Sequence, residues 1–123
     1  AAVMGGAGAP FIAALPQLEI MSSLGVGYDK VDVDAALSQN IIVTYTPDIL
    51  NEEVADAAIG LLLNTLRELP QAEAFLRAGQ WLEGPFPLTR GTLRGPKLGI
   101  YGRGRIGRAI ARRLEGFGAS VCC

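Results

Sequence analysis

Gly102, Gly104 and Gly107 form a GxGxxG between the apolar run Lys97-Leu98-Gly99-Ile100-Tyr101 and an amphipathic stretch that starts at Ile106. Glycines at this spacing can hold a diphosphate. Gly102 permits a sharp strand-to-helix turn, Gly104 lets the backbone approach the phosphates, and Gly107 lets the helix pack closely on the strand. Unbonded amides at the helix start add roughly half a positive charge. Eight of the 11 basic residues (Arg90, Arg94, Lys97, Arg103, Arg105, Arg108, Arg112 and Arg113) fall between positions 90 and 113. A positive field beside a glycine turn suits phosphate, although a solvated helix face accounts for part of these arginines.

In a chain with 16 glycines the motif alone is weak, and a glycine-rich turn of any α/β protein is the plain alternative. A methyltransferase loop is another, but it lacks the helix-packing third glycine. The surroundings favour dinucleotide binding. A strand is expected over 97–101, and a helix follows with Ile106, Ile110 and Leu114 inward and Arg108, Arg112 and Arg113 outward. That helix ends at Gly116 to Gly118, and Ala119 to Cys123 begins a second strand.

Upstream, Ala1 to Met4 reads as a strand, residues 10–16 as a short helix closed by Pro16, and 18–24 as a strand ended by Gly25-Val26-Gly27. A helix is expected over 31–39 with Ala35, Ala36 and Leu37 inward and Asp32 and Asp34 at its positive end. Ile41 to Tyr45, β-branched and aromatic, is a strand. The βαβαβ order implies a parallel sheet. A long helix begins at Asn51, a suitable N-cap, with Glu52 and Glu53 in its first turn. Its apolar residues fill nearly every face, so it is expected to lie wedged between two layers or domains. Pro70 breaks or kinks it, and 71–78 continues as helix to Gly79. The Gly- and Pro-rich stretch from Gly79 to Pro96 is irregular, with Trp81 and Phe86 either packed on the domain or open to a partner subunit.

The 50% apolar content marks a folded chain, and the net charge of −1 excludes a general polyanion binder. Nucleic-acid binding through the arginines would need interleaved aromatics, and Tyr101 is the only one there. There is no histidine, so no metal pattern arises, and Cys122 and Cys123 read as apolar strand residues that are not disulfide-bonded to each other. No apolar run reaches membrane-spanning length, so a soluble, cytoplasmic protein is expected.

The segments LPQLEIMSSLGVGYDKVDV, VTYTPDILNEEVADAAIGLLL and LRGPKLGIYGRGRIGRAIARRLEGFGA together resemble the D-isomer-specific 2-hydroxyacid dehydrogenases, nearest the glyoxylate/hydroxypyruvate reductase branch. The resemblance implies an α/β fold in which 1–48 is part of a flavodoxin-like substrate domain. Residues 49–123 would open a Rossmann domain for NAD or NADP, with an interdomain helix over 51–69 and a βαβ unit over 97–123. It further implies that the Gly25-Val26-Gly27 turn, at Val26 and Gly27, offers amides to the substrate carboxylate, or serves only to end the strand. Val54 would meet the nicotinamide side of the cofactor, or serve only in helix packing. Gly102, Gly104, Arg105, Ile106 and Gly107 would meet the pyrophosphate. Tyr101 and Arg103 depart from the small aliphatic residues of the family pattern. The stretch TPDILNEEVAD differs from that of phosphoglycerate and D-lactate dehydrogenases, which favours small 2-keto acids such as glyoxylate and hydroxypyruvate. A homodimer is implied for the parent enzyme.

Reduction of a keto acid needs a proton donor, and neither Lys30 nor Lys97 is well placed to act. The family's histidine, its carboxylate partner and its substrate arginine correspond to positions beyond 123, as does the acidic residue about 20 positions past the glycines that selects the cofactor. The chain is therefore expected to be a fragment truncated at both ends, inactive alone. The competing expectation is a non-enzymatic nucleotide- or phosphate-binding module.

Overall fold

The computed structural model describes residues 2–89 and 91–122, with side chains from residue 5 onward; Ala1, Arg90 and Cys123 lie outside the described residues. The chain forms two compact units, residues 1–50 and 51–123.

In the first unit, β1 (Ala2–Met4), α1 (Ala9–Ala13), β2 (Ile20–Ser23), α2 (Val33–Ser38) and β3 (Ile42–Thr44) alternate. The strands pair in parallel in the order β1-β2-β3, with Met21 opposite Val43 and Ser22 opposite Thr44. Parallel neighbours need crossovers, which the two helices provide. Pro10 lies in the first turn of α1, where its missing N–H costs nothing. Asp32 caps α2, its carboxylate accepting from the Ala35 N–H at 3.0 Å. Ala7, Ile12, Met21, Val31, Ala36 and Ile41 form the core. Burying a side chain the size of Ile12 or Met21 stabilises by about 1.5–3 kcal/mol. Leu37, expected inward, is 64% exposed. It lies one residue round from Ala36 on a six-residue helix, which covers only one stripe of the sheet.

The second unit opens with α3 (Asn51–Arg67) and α4 (Leu69–Arg77), then a 3₁₀ turn over Gln80–Leu82. β4 (Lys97–Gly99), α5 (Arg105–Gly116) and β5 (Ser120–Cys122) follow. Asn51 is itself the first helical residue, not the cap before it. The break expected at Pro70 falls at Glu68, whose φ of 50° is left-handed. Pro70 instead sits in the first turn of α4, a position that tolerates proline. The α3 helix packs against α5 and buries only the stripe of Ala55 and Ile59, leaving Leu61 exposed. Within this unit it is thus covered along one side. Phe86 is half-buried, its ring 5.4 Å from that of Phe75 in an edge-on contact, whereas Trp81 is exposed. β4 and β5 pair in parallel, with Leu98 opposite Val121. Ile59, Leu93 and Leu114 form this core, with Leu98, Ile110 and Val121 packed around it. Cys122 is a strand residue but an exposed one, a free thiol whose Sγ lies 3.6 Å from the Leu98 carbonyl. Among the described residues no helix is long and apolar enough to cross a membrane.

Candidate functional site

Two loops occupy the positions where ligands gather in parallel sheets, just past the carboxyl ends of strands. The first follows β4. The Ile100 N–H still bonds the Cys122 carbonyl at 2.9 Å, so Tyr101 is already free of the sheet and fully exposed. Gly102 then turns the chain with φ of 100°, a value that side chains resist. Gly104 stands at the N-cap of α5 in extended backbone, and the Arg108 N–H reaches its carbonyl at 3.0 Å. Among the described residues no side chain caps this end, and no acidic residue lies in its first turn.

The glycines do different work. A Cβ on Gly107 would overlap the Gly102 carbonyl oxygen and touch Ile100, so the helix rests directly on the loop. A Cβ on Gly104 would meet no protein atom within 4 Å, and the φ of −73° there suits any residue. Among the described residues nothing demands glycine at 104. Ile106 is half-buried, while Arg103 and Arg105 are exposed.

One face of α5 is tied to α3. Arg113, expected to point outward, lies along α3 with most of its side chain covered. Its Nε donates to Asp56 Oδ1 at 2.6 Å and its Nη1 to Glu52 Oε2 at 2.8 Å, while Arg112 reaches the other oxygen of Glu52 at 2.8 Å. The hydrogen bond from Arg113, with the charge of Arg112 beside it, holds the Glu52 carboxyl below the usual carboxylate range. Hydrogen bonds to Asp56 and then Glu52 raise Arg113 in turn. Sequence reading missed this network. Glu52 and Asp56, four apart on one helix face opposite adjacent arginines, were the available signal. Val54 is 42% exposed on α3, beside this network in sequence but not part of it. A cavity of about 400 Å³ opens between the first turn of α3 and α5, lined by Asn51, Glu52, Arg103, Arg105 and Arg108 among others.

The second loop, Gly25-Val26-Gly27, follows β2. Gly25 has φ of 128°. Its N–H donates to Thr46 Oγ1 at 3.0 Å, and its carbonyl accepts from the Thr46 hydroxyl at 2.9 Å and the Thr46 N–H at 3.1 Å. Among the described residues, the N–H groups of Val26 and Gly27 donate to no protein acceptor. Thr46 was also missed, because its partner is 21 residues away.

The family model for the D-isomer-specific 2-hydroxyacid dehydrogenase catalytic domain matches residues 3–119. The chain belongs to that family. It is 48% identical over 116 residues to glyoxylate/hydroxypyruvate reductase A of Arabidopsis thaliana, covering 94% of this chain and 37% of the relative. It is similar to the crystal structure of the NADPH-dependent glyoxylate/hydroxypyruvate reductase of Sinorhizobium meliloti in complex with NADP and malonate. That match has a TM-score of 0.89 and 60% identity, and covers 98% of this chain and 38% of the other. A 2-hydroxyacid dehydrogenase from Ketogulonicigenium vulgare matches with a TM-score of 0.89 and 43% identity, over 98% of this chain and 38% of the other. The chain thus spans less than two fifths of the length of these relatives. The α/β fold with parallel strands, flavodoxin-like first and Rossmann-like second, is the one these family members share.

Proposed function

We propose that this chain supplies the diphosphate cradle and the substrate-carboxylate turn of an NAD(P)H-dependent reductase of small 2-keto acids, glyoxylate or hydroxypyruvate. The carrying observation is the junction from β4 to α5. Among the described residues no side chain caps the helix start, Gly107 is seated on Gly102, and no neighbouring atom requires glycine at 104. A diphosphate lying over Gly104 accounts for that residue, and the amides from Gly104 through Arg105, Ile106 and Gly107 supply its donors.

On this reading residues 1–48 belong to the substrate domain and 49–123 open the cofactor domain. Val54 lies toward the nicotinamide, and its exposure leaves it open to contact. Val26 and Gly27 hold the carboxylate through two N–H groups that bond nothing else among the described residues. The cofactor supplies a hydride to the keto carbon. The chain's own share is to orient both partners and to neutralise their anionic groups, because it has no histidine to pass a proton. NADPH is the preferred donor, by analogy with the Sinorhizobium meliloti enzyme. The same reading makes the enzyme a cytoplasmic homodimer with neither nucleic acid nor membrane as partner. Exposed Trp81, Leu82 and Leu88 offer apolar surface to a second copy.

The test is titration of the protein carrying this chain with NADPH and NADH, followed by fluorescence, and assay with glyoxylate and hydroxypyruvate. Saturable binding with oxidation of the reduced cofactor is expected. Folded protein that binds neither dinucleotide would overturn the proposal.

A further inference from the structure

The geometry points to Thr46 as the positioning residue that holds the Gly25–Gly27 turn open to the substrate carboxylate. This rests on the reading of that turn given above. Thr46 lies two residues past β3 and directly before Pro47, which biases it to extended backbone. It grips a single residue of the turn three times. Its hydroxyl accepts from the Gly25 N–H and donates to the Gly25 carbonyl, and its own N–H bonds that carbonyl as well. A hydroxyl can accept and donate at once, and no apolar side chain of the same shape can do so.

Two consequences follow for an incoming anion. The Gly25 amide is consumed, so the turn presents the next two, at Val26 and Gly27. Gly25 is also pinned at φ of 128°, a conformation it would otherwise share with many others, so the direction of those amides is set before substrate arrives. A second contact lies alongside: the Tyr28 and Tyr45 rings, flanking Gly27 and Thr46 in sequence, meet at a 60° tilt with centroids 5.2 Å apart. The clamp lies wholly within the first unit.

The experiment compares Thr46→Val, which keeps the shape, with Thr46→Ser, which keeps the hydroxyl, in the enzyme that carries this chain. A misplacement of binding groups by about 1 Å can cost up to roughly a hundredfold. The keto-acid KM should therefore rise by about tenfold or more in Thr46→Val, with the cofactor KM within about twofold and the serine variant restored. Thr46→Ala replaces the valine variant if that fails to fold. An unchanged keto-acid KM, or a fall in kcat with both KM values unchanged, would overturn the role, since the latter is what a structural defect produces. Gly27→Pro, which deletes one amide, is measured in parallel. If it raises the keto-acid KM and Thr46→Val does not, the clamp alone fails. If folded Gly27→Pro binds keto acid normally, the carboxylate turn itself is wrong and the clamp falls with it.

Discussion

Gly104 and Gly107 are three residues apart, yet the structure gives them opposite reasons for being glycine, and two alanine variants separate those reasons. At 107 the added Cβ would meet the Gly102 carbonyl oxygen, with Ile100 behind it. The shortfall against ordinary carbon–oxygen contact is about 1 Å, and the obstacle is backbone, which cannot rotate away. The helix must lift off the loop, loosening Ala109 and Leu114, which are almost fully buried. Overpacking of this kind costs about 1–3 kcal/mol, here toward the upper end. The first-turn amides move with the helix, so dinucleotide affinity should fall by about a hundredfold. At 104 the added Cβ meets only open space, so Gly104→Ala should cost no more than about 0.5–1 kcal/mol through the weaker cap. It should still lose at least tenfold in affinity, about 1.4 kcal/mol, because the methyl stands where the diphosphate must lie. Thermal melting reads the stability term and cofactor fluorescence the affinity. If Gly104→Ala bound NADPH and NADH as tightly as the parent, no phosphate would lie over residue 104. If Gly107→Ala melted and bound like the parent, the seat of α5 on Gly102 would be wrong.

Three further outcomes are expected. Glu68→Gly relieves the left-handed residue between α3 and α4 and should stabilise by about 0.5–1 kcal/mol, a few degrees in Tm; a lower Tm contradicts the strain. The lowered Glu52 carboxyl contributes stability above the ordinary carboxylate range and loses it as pH falls through its depressed value. The raised Arg113 stays charged throughout that window. Melting should therefore be flat from about pH 6 to 8 and decline in acid, with part of the decline missing in Arg113→Met; identical acid profiles would exclude the network. The 123-residue chain alone, lacking histidine, should show no reduction of glyoxylate or hydroxypyruvate by NADPH or NADH, and turnover by it would refute the division of labour proposed here.

What could be read from the sequence was local. The periodicity of 41–45 and 97–101 and the spacing of three glycines each report on a few neighbouring residues, and those features placed β3, β4 and the turn into α5 to within one or two positions. The errors share a cause as well. Pro70 drew the helix break to itself, yet proline is welcome in a first turn, and the break needed a residue able to take a positive φ, which Glu68 does. Leu37 was assigned inward on type alone, although a six-residue helix has room for one buried stripe and Ala36 takes it.

The features that organise both candidate sites were invisible for a different reason. Thr46 meets Gly25 across 21 positions, and Arg113 meets Glu52 across 61. No period or spacing encodes such pairs, because they arise only once the parallel sheet and the α3–α5 pairing bring distant segments together. The glycine motifs announce where an anion could be held, since the positive-φ turns at Gly25 and Gly102 favour glycine and leave the amides that follow them exposed. How firmly those amides are aimed depends on partners that only the folded chain supplies. Gly25 without Thr46 would be a loose turn. Gly104 without the packing of Gly107 on Gly102, and without α3 bracing the far end of α5 through Arg113, would begin a helix free to tilt. The binding loops are thus legible as chemistry in the sequence, while their preorganisation is a property of the tertiary structure.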